Sequence, residues 1–339
     1  MNDEWLIYRG VGEPHDGIDA LPDPPPWRDF DGGPVGEAGG QAAAAGAADG
    51  NIARRLGAHR QAAELHRPEP EELEAINAAL YLRRPLLVTG FPGTGKSTLA
   101  HAVAHELKLG RVLRWPVVSR TVLQDGLYRY DALARLQDVQ IAASGGAPGG
   151  APGIGKYIRL GPLGTALLPT ARPRVLLIDE LDKSDIDLPN DLLNVLEEGE
   201  FALPELERVA DTEPEVQVLT DDGTKVSVQG GRVRCREFPF IILTSNGERD
   251  FPAALLRRCI QLKLGQPGEK RLATMVRAHL GEEAARLGAD LIREFLSRSQ
   301  SELVAADQLL NAVYLTHYAA PPTREDLADL LIQRLDRPR

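Results

Sequence analysis

Leu86-Leu87-Val88 leads through Thr89 into Gly90-Phe91-Pro92-Gly93-Thr94-Gly95-Lys96-Ser97-Thr98, and helical spacing follows at Leu99, Val103 and Leu107. The order apolar run, G-x-x-x-x-G-K-[ST], helix predicts a phosphate-binding loop between a buried strand and a helix. Glycines let the backbone curl so that successive N–H groups converge on phosphate oxygens, and the helix adds its positive N-terminal end. In such a loop Lys96 reaches the β- and γ-phosphates of a nucleoside triphosphate, and Ser97 holds Mg²⁺.

Outward from this loop, 339 residues with 43% hydrophobic side chains suffice for a sizeable core in one large or two modest domains. No run of eighteen apolar residues occurs and the N-terminus is acidic, so neither a membrane span nor an export signal is expected. Cys235 and Cys259 are too few for a disulfide framework or a zinc site. A reducing cytoplasm fits. The net charge of −10 is concentrated: residues 1–49 carry ten acids against Arg9 and Arg28, a net −8, and the remainder is near neutral at −2. Nucleic-acid binding is therefore not expected.

Residues 1–50 read as a disordered acidic Pro/Gly/Ala-rich segment, with a flexible linker from Gly32 to Gly50. Within it, Trp5-Leu6-Ile7-Tyr8 and Trp27 are apolar islands that either dock or belong to a disordered tail. A helix is predicted over Glu71–Leu82. Apolar runs at Val112–Val118, Val175–Ile178, Phe240–Leu243 and Ile260–Leu264 alternate with helical segments, which predicts a parallel sheet covered on both faces within a core at 51–265. Four helical patterns, 268–279, 283–298, 303–317 and 323–335, predict a separate helical domain at 266–339. Two projections interrupt the alternation: an insert at about 142–168 and a hairpin at about 215–234. In the hairpin Val216, Val218, Val226 and Val228 alternate about Asp222-Gly223.

Asp179 and Glu180 follow the strand Val175–Ile178, at the sheet edge where open α/β folds bind ligands. Asp179 is expected to orient the magnesium shell, and Glu180 to polarise the attacking water. Asn246 ends another strand and is suited to holding that water, because an amide hydrogen-bonds without adding charge. Arg257 or Arg258, closing a short helix, is a candidate finger reaching a neighbouring subunit's site. Two look-alikes are rejected. Gly150–Lys156 repeats the loop spacing but has Tyr157 where Ser or Thr belongs and no strand before it. Asp182-Lys183-Ser184-Asp185 suggests a guanine-reading motif but lies three residues after Asp179 and should begin the helix through Leu192-Leu193.

The loop at Gly90–Ser97, Asp179-Glu180, Asn246 and Arg257-Arg258, with helices behind them, resemble the AAA+ ATPases. Leu177–Lys183, Asn194–Gly199, the hairpin and the insert resemble the MoxR branch, related to magnesium chelatase ATPase subunits. The resemblance implies a P-loop NTPase fold of class α/β, a parallel five-stranded sheet in the order 5-1-4-3-2, and a C-terminal α-helical lid domain. It also implies ATP and Mg²⁺ as cofactors. The expected assembly is a homo-oligomeric ring, often a hexamer, and the expected work is chaperone-like remodelling beside a partner with a von Willebrand factor A domain. Lys96 and Ser97 then match Walker A, Asp179 and Glu180 Walker B, Asn246 sensor 1, and Arg257 or Arg258 the finger. At the sensor 2 position, Leu303–Asp307, no arginine stands, and Arg324 is a weak substitute. Two other readings share this core: a nucleic-acid motor tracking a strand with the hairpin, and a nucleotide-gated signalling or defence switch using residues 1–31 as a partner-binding arm.

Overall fold

Adjacent residues of the apolar runs point into two different cores, which is why the runs read as continuous rather than alternating. Leu86, Val88, Val175, Leu177, Phe240 and Ile242 enter one cluster, and their neighbours Leu87, Leu176, Ile178, Ile241 and Leu243 the other. A computed structural model of the chain describes residues 5–33, 67–144, 152–299 and 306–318. Its strands are β1 (Leu86–Thr89), β2 (Leu113–Pro116), β3 (Tyr128–Tyr130), β4 (Ile158–Leu160), β5 (Val175–Asp179), β6 (Glu200–Ala202), β7 (Glu215–Leu219), β8 (Lys225–Gln229), β9 (Arg232–Arg234), β10 (Phe240–Ser245) and β11 (Ile260–Lys263). Its helices are α1 (Pro70–Leu82), α2 (Lys96–Glu106), α3 (Leu123–Leu127), α4 (Ala132–Ala143), α5 (Pro162–Ala166), α6 (Leu188–Glu198), α7 (Pro204–Glu207), α8 (Ala253–Arg258), α9 (Glu269–Leu280), α10 (Glu282–Leu287), α11 (Ala289–Ser299) and α12 (Ala306–Tyr318).

The central sheet runs β11-β1-β10-β5-β2 with every neighbour parallel, the order 5-1-4-3-2 when its five strands alone are counted. Ile76 and Leu80 of α1 and Leu99 and Val103 of α2 cover one face. Strand order reverses between β1 and β10, so the carboxyl ends of β1, β5 and β10 open onto a common crevice.

The insert and the hairpin, read from sequence as two projections, are one body. β3, β4, β7, β8, β9 and β6 form a second, six-stranded sheet in the order β3-β4-β7-β8-β9-β6. The link between insert and hairpin is the parallel pairing of Arg159 with Leu219. Alternation places Val216 opposite Val228 and Val218 opposite Val226, around a loop at Thr220–Thr224. Ile158, Leu160, Val216, Val218 and Val228 belong to the same apolar cluster as Ile178 and Leu243, so this sheet packs against the second face of the first.

Helices α9–α12 enclose their own cluster, which includes Leu272, Val276, Ile292, Phe295, Leu309 and Val313. The helix predicted over 283–298 is two, α10 and α11, separated at Gly288. A Cβ there would stand 3.0 Å from both the Ala284 carbonyl oxygen and the Val313 side chain. The helix predicted at 323–335, Arg324, most of the linker, the start of the core before residue 67 and the tip of the insert lie outside the described residues.

The largest departure from expectation is at residues 5–33, which are ordered against the body rather than disordered. The Asn77 Oδ1 accepts from the N–H groups of Ile7 (2.8 Å) and Tyr8 (2.9 Å), and its Nδ2 donates to the Tyr8 carbonyl. The buried Glu106 carboxylate accepts from the N–H groups of Arg9, Gly10 and Gly12. Arg28 donates to the terminal carbonyls of two helices, Arg83 after α1 and Leu196 and Glu197 in α6, groups that lack helical partners. Its guanidinium also lies over the Phe238 ring, 4.3 Å from the centroid. Composition cannot reveal this docking, because both the strap's backbone and its Arg28 side chain are held by groups far away in sequence.

Candidate nucleotide site

The loop between β1 and α2 has the conformation its glycines allow: Gly93 (φ 77°) and Gly95 (φ 89°) sit in the left-handed region, and Gly95 caps α2 without a side chain. The first N–H groups of α2 are thereby left facing the crevice. Lys96 curls back across the loop. Its Nζ donates to the carbonyls of Gly90 (2.7 Å) and Phe91 (2.9 Å) and to Asn246 Oδ1 (2.8 Å). Burial lowers the pKa of this ammonium, while Asp182, Asp179 and Glu180 pull the other way.

Asp179, the last residue of β5, is the hub. Its Oδ1 accepts from Ser97 Oγ (2.9 Å) and Thr244 Oγ1 (2.8 Å), and its Oδ2 from an Arg114 Nη (2.6 Å). Burial raises its pKa, but the bonds from Arg114, Thr244 and Ser97 outweigh that and hold the carboxyl below the ordinary range. Glu180 turns out of the strand in the left-handed region (φ 61°), a strained conformation for a side chain of its size. Its N–H donates to Thr244 Oγ1 (2.8 Å), which fixes the turn, and its carboxylate pairs with Lys183 (2.8 Å) on the open side of the crevice. Asp182 begins no long helix. It lies in a single 3₁₀ turn, Leu181–Lys183, and accepts from the N–H groups of Asn246 and Glu248, so it anchors the exit of β10.

These residues surround a cavity of ≈ 730 Å³ lined by Pro92–Thr98, Asp179, Glu180, Thr244 and Asn246. Gly90 and Phe91 do not line it; their carbonyls hold Lys96 instead. Arg257 and Arg258 are not among its lining residues either. Arg258 pairs with Glu197 (2.7 Å), whereas exposed Arg257 bonds through Nε only to Ala253 in its own helix. Among the described residues no group of three or more His, Cys, Asp or Glu side chains could hold a metal. Both cysteines are free and buried, and burial pushes each thiol up to about 12, so neither is a nucleophile.

The sequence reading missed Arg114, Thr244 and Arg271. Arg114 is an outward residue in Leu113-Arg114-Trp115, a signal visible only once β2 is known to lie beside β5. Arg271, in the first turns of α9, lines the cavity, pairs with buried Glu72 of α1 (2.5 Å) and reaches toward the Thr94 carbonyl (3.4 Å).

Two similarities to known proteins bear on the family of this chain. The family model of the AAA domain, dynein-related subfamily, matches residues 85–259, from the start of β1 to the end of α8. An ATP-dependent protease ATP-binding subunit-like protein of Rhodococcus erythropolis is 33% identical over 123 residues, which is 35% of this chain and 31% of that protein. The similarity thus spans about a third of the relative's length. Among the described residues no helix is long and apolar enough to cross a membrane.

Proposed function

This chain belongs to the AAA domain family, in its dynein-related subfamily, and from that premise we propose that it binds ATP with Mg²⁺ and hydrolyses it in a ring of like subunits. The observation that carries the reading is the convergence of Lys96, Ser97, Asp179, Glu180 and Asn246 on one crevice, from three strands distant in sequence.

The polar partners within the crevice are ones that a nucleotide could replace. Lys96 rests on two carbonyls and the Asn246 amide, all neutral acceptors that phosphate oxygens, being charged, would displace. Once Lys96 moves, Asn246 is free to hold a water beside Glu180. Ser97 and Asp179 already meet as hard oxygen donors and fit Mg²⁺, with the remaining positions left to water and phosphate oxygens. The ion would neutralise charge on the phosphates. Glu180 orients the water and accepts hydrogen bonding from it; rate acceleration comes from positioning and charge.

Arg257 is the better candidate for the finger, because Arg258 is committed to Glu197. We read the work done as chaperone-like remodelling of a protein partner. Support for a protein client is the similarity to a protein named as ATP-dependent protease ATP-binding subunit-like; the MoxR branch and a partner with a von Willebrand factor A domain rest on the sequence resemblance alone.

Lys96→Ala is expected to weaken ATP binding at least tenfold by calorimetry, and Glu180→Gln to leave binding intact while lowering turnover on the order of 10²-fold or more. Normal turnover by Glu180→Gln would remove the assignment of the water-orienting carboxylate. Normal ATP binding by Lys96→Ala would remove the site.

A further inference from the structure

A second cleft lies beyond Asp179 on the side of β2, and its chemistry is that of an anion site. It has a volume of ≈ 470 Å³ and is lined by Arg114, Arg120, Arg129 and Arg159. Arg129 of β3 and Arg159 of β4 stand directly opposite each other in an antiparallel pair. Like charges in that register repel, so the fold carries a cost there that a bound anion would relieve.

The cleft's own acids relieve it only in part. Asp125 reaches no closer than 3.7 Å to Arg129. Among the described residues Arg159 donates only to the main-chain oxygen of Asp221 (3.1 Å). Burial raises the pKa of the Asp221 carboxyl itself, although Arg111 and Arg159 oppose it. Arg120 makes no hydrogen bond or ion pair among the described residues, and Arg114 is held by Asp179. The lining also has an apolar part, 60%-exposed Val118 and half-buried Pro162, while Trp115 is buried in the core.

We propose that this cleft binds a short acidic segment of a protein partner, glutamate or aspartate side chains engaging Arg120, Arg129 and Arg159 and an apolar residue resting on Val118 and Pro162. Guanidinium forks match carboxylates in bidentate geometry, and the mixed lining suits a peptide with both kinds of side chain. A polynucleotide fits less well. A cleft of ≈ 470 Å³ takes a few groups, fewer than the run of phosphate contacts on which polynucleotide affinity rests. The inference stands apart from the ATPase reading, because binding is measured without nucleotide.

The test is fluorescence anisotropy of the full chain with a fluorescein-labelled glutamate-leucine peptide, with single-stranded oligo-dT as competitor probe. The wild type is expected to bind the peptide saturably, more weakly at high salt. The double variant Arg129→Ala/Arg159→Ala should bind at least about tenfold more weakly. Arg129→Glu should abolish binding while keeping or raising Tm, because it places opposite charges across the strand pair; it serves as the control should the double variant unfold. No saturable peptide binding, equal binding by the folded double variant or by Arg129→Glu, or tighter binding of oligo-dT through the same arginines would overturn the proposal.

Discussion

Four buried polar side chains decide more of this structure than their number suggests. Asn77 and Lys96 each satisfy several backbone or amide groups at once, and Glu106 and Arg28 tie the N-terminal strap to the body. Because Asn77 is fully buried, Asn77→Ala would strand two N–H groups and a carbonyl and cost roughly 2–4 kcal/mol. The expected outcome is a lower urea midpoint together with protease cleavage within residues 5–33. Asp222 gives a residue-scale dependence on pH. Burial raises its pKa, but bonds from Thr220 and Arg174 outweigh this and leave the carboxyl below its ordinary range. A depressed folded-state pKa adds stability above the unfolded pKa of about 4, and that stability is lost as pH falls through the folded value. Asp222→Asn should therefore destabilise the protein by about 2–4 kcal/mol at neutral pH, and the gap to wild type should narrow below about pH 4 in urea titrations.

At the scale of elements, the second sheet joins two insertions into one platform. Gly155 lies in the 3₁₀ turn Ile154–Tyr157 against β7, and a Cβ on it would stand 2.1 Å from the Gln217 carbonyl oxygen. Gly155→Ala must therefore push the turn off the strand. A loss of about 1–3 kcal/mol is expected in thermal unfolding, with hydrogen exchange in β4 and β7 accelerated. Residues 152–156 of the look-alike thus have a structural role, Gly155 packing on β7 and Lys156 pairing with Asp138 of α4. On the opposite side, α9 brings Arg271 to the loop after β1 and joins it to Glu72 of α1, a bridge between the helical domain and the core.

For the whole molecule, the acidic excess has a destination. Asp16, Asp19 and Asp31 of the strap meet Lys108, Arg172 and Arg234 of the body, so the charge asymmetry read from sequence is partly internal neutralisation. Each exposed pair contributes little to stability; the buried backbone captures hold the strap. A strap docked on its own body also weakens the case for residues 1–31 as a partner-binding arm. Assembly is tested directly by sedimentation, where ATP should favour a larger species. Arg257→Ala and Glu180→Gln should each be nearly inactive alone, and mixing them should restore part of the turnover. Recovery requires sites that combine Glu180 of one subunit with Arg257 of the next. No recovery on mixing would exclude Arg257 as a finger acting across subunits.

Glycine spacing and apolar runs act locally, so the strand–loop–helix at Leu86–Glu106, the buried strands and the carboxylates at the end of β5 were legible in the chain alone. It also located the hairpin, whose alternating valines face one core. It took the folded chain to show that insert and hairpin form one sheet, that residues 5–33 dock on the body, and that Arg114, Thr244 and Arg271 belong with Asp179 and the phosphate loop. Each of those depends on a backbone group or charge meeting a partner tens to hundreds of residues away, and no local pattern encodes which partner that will be.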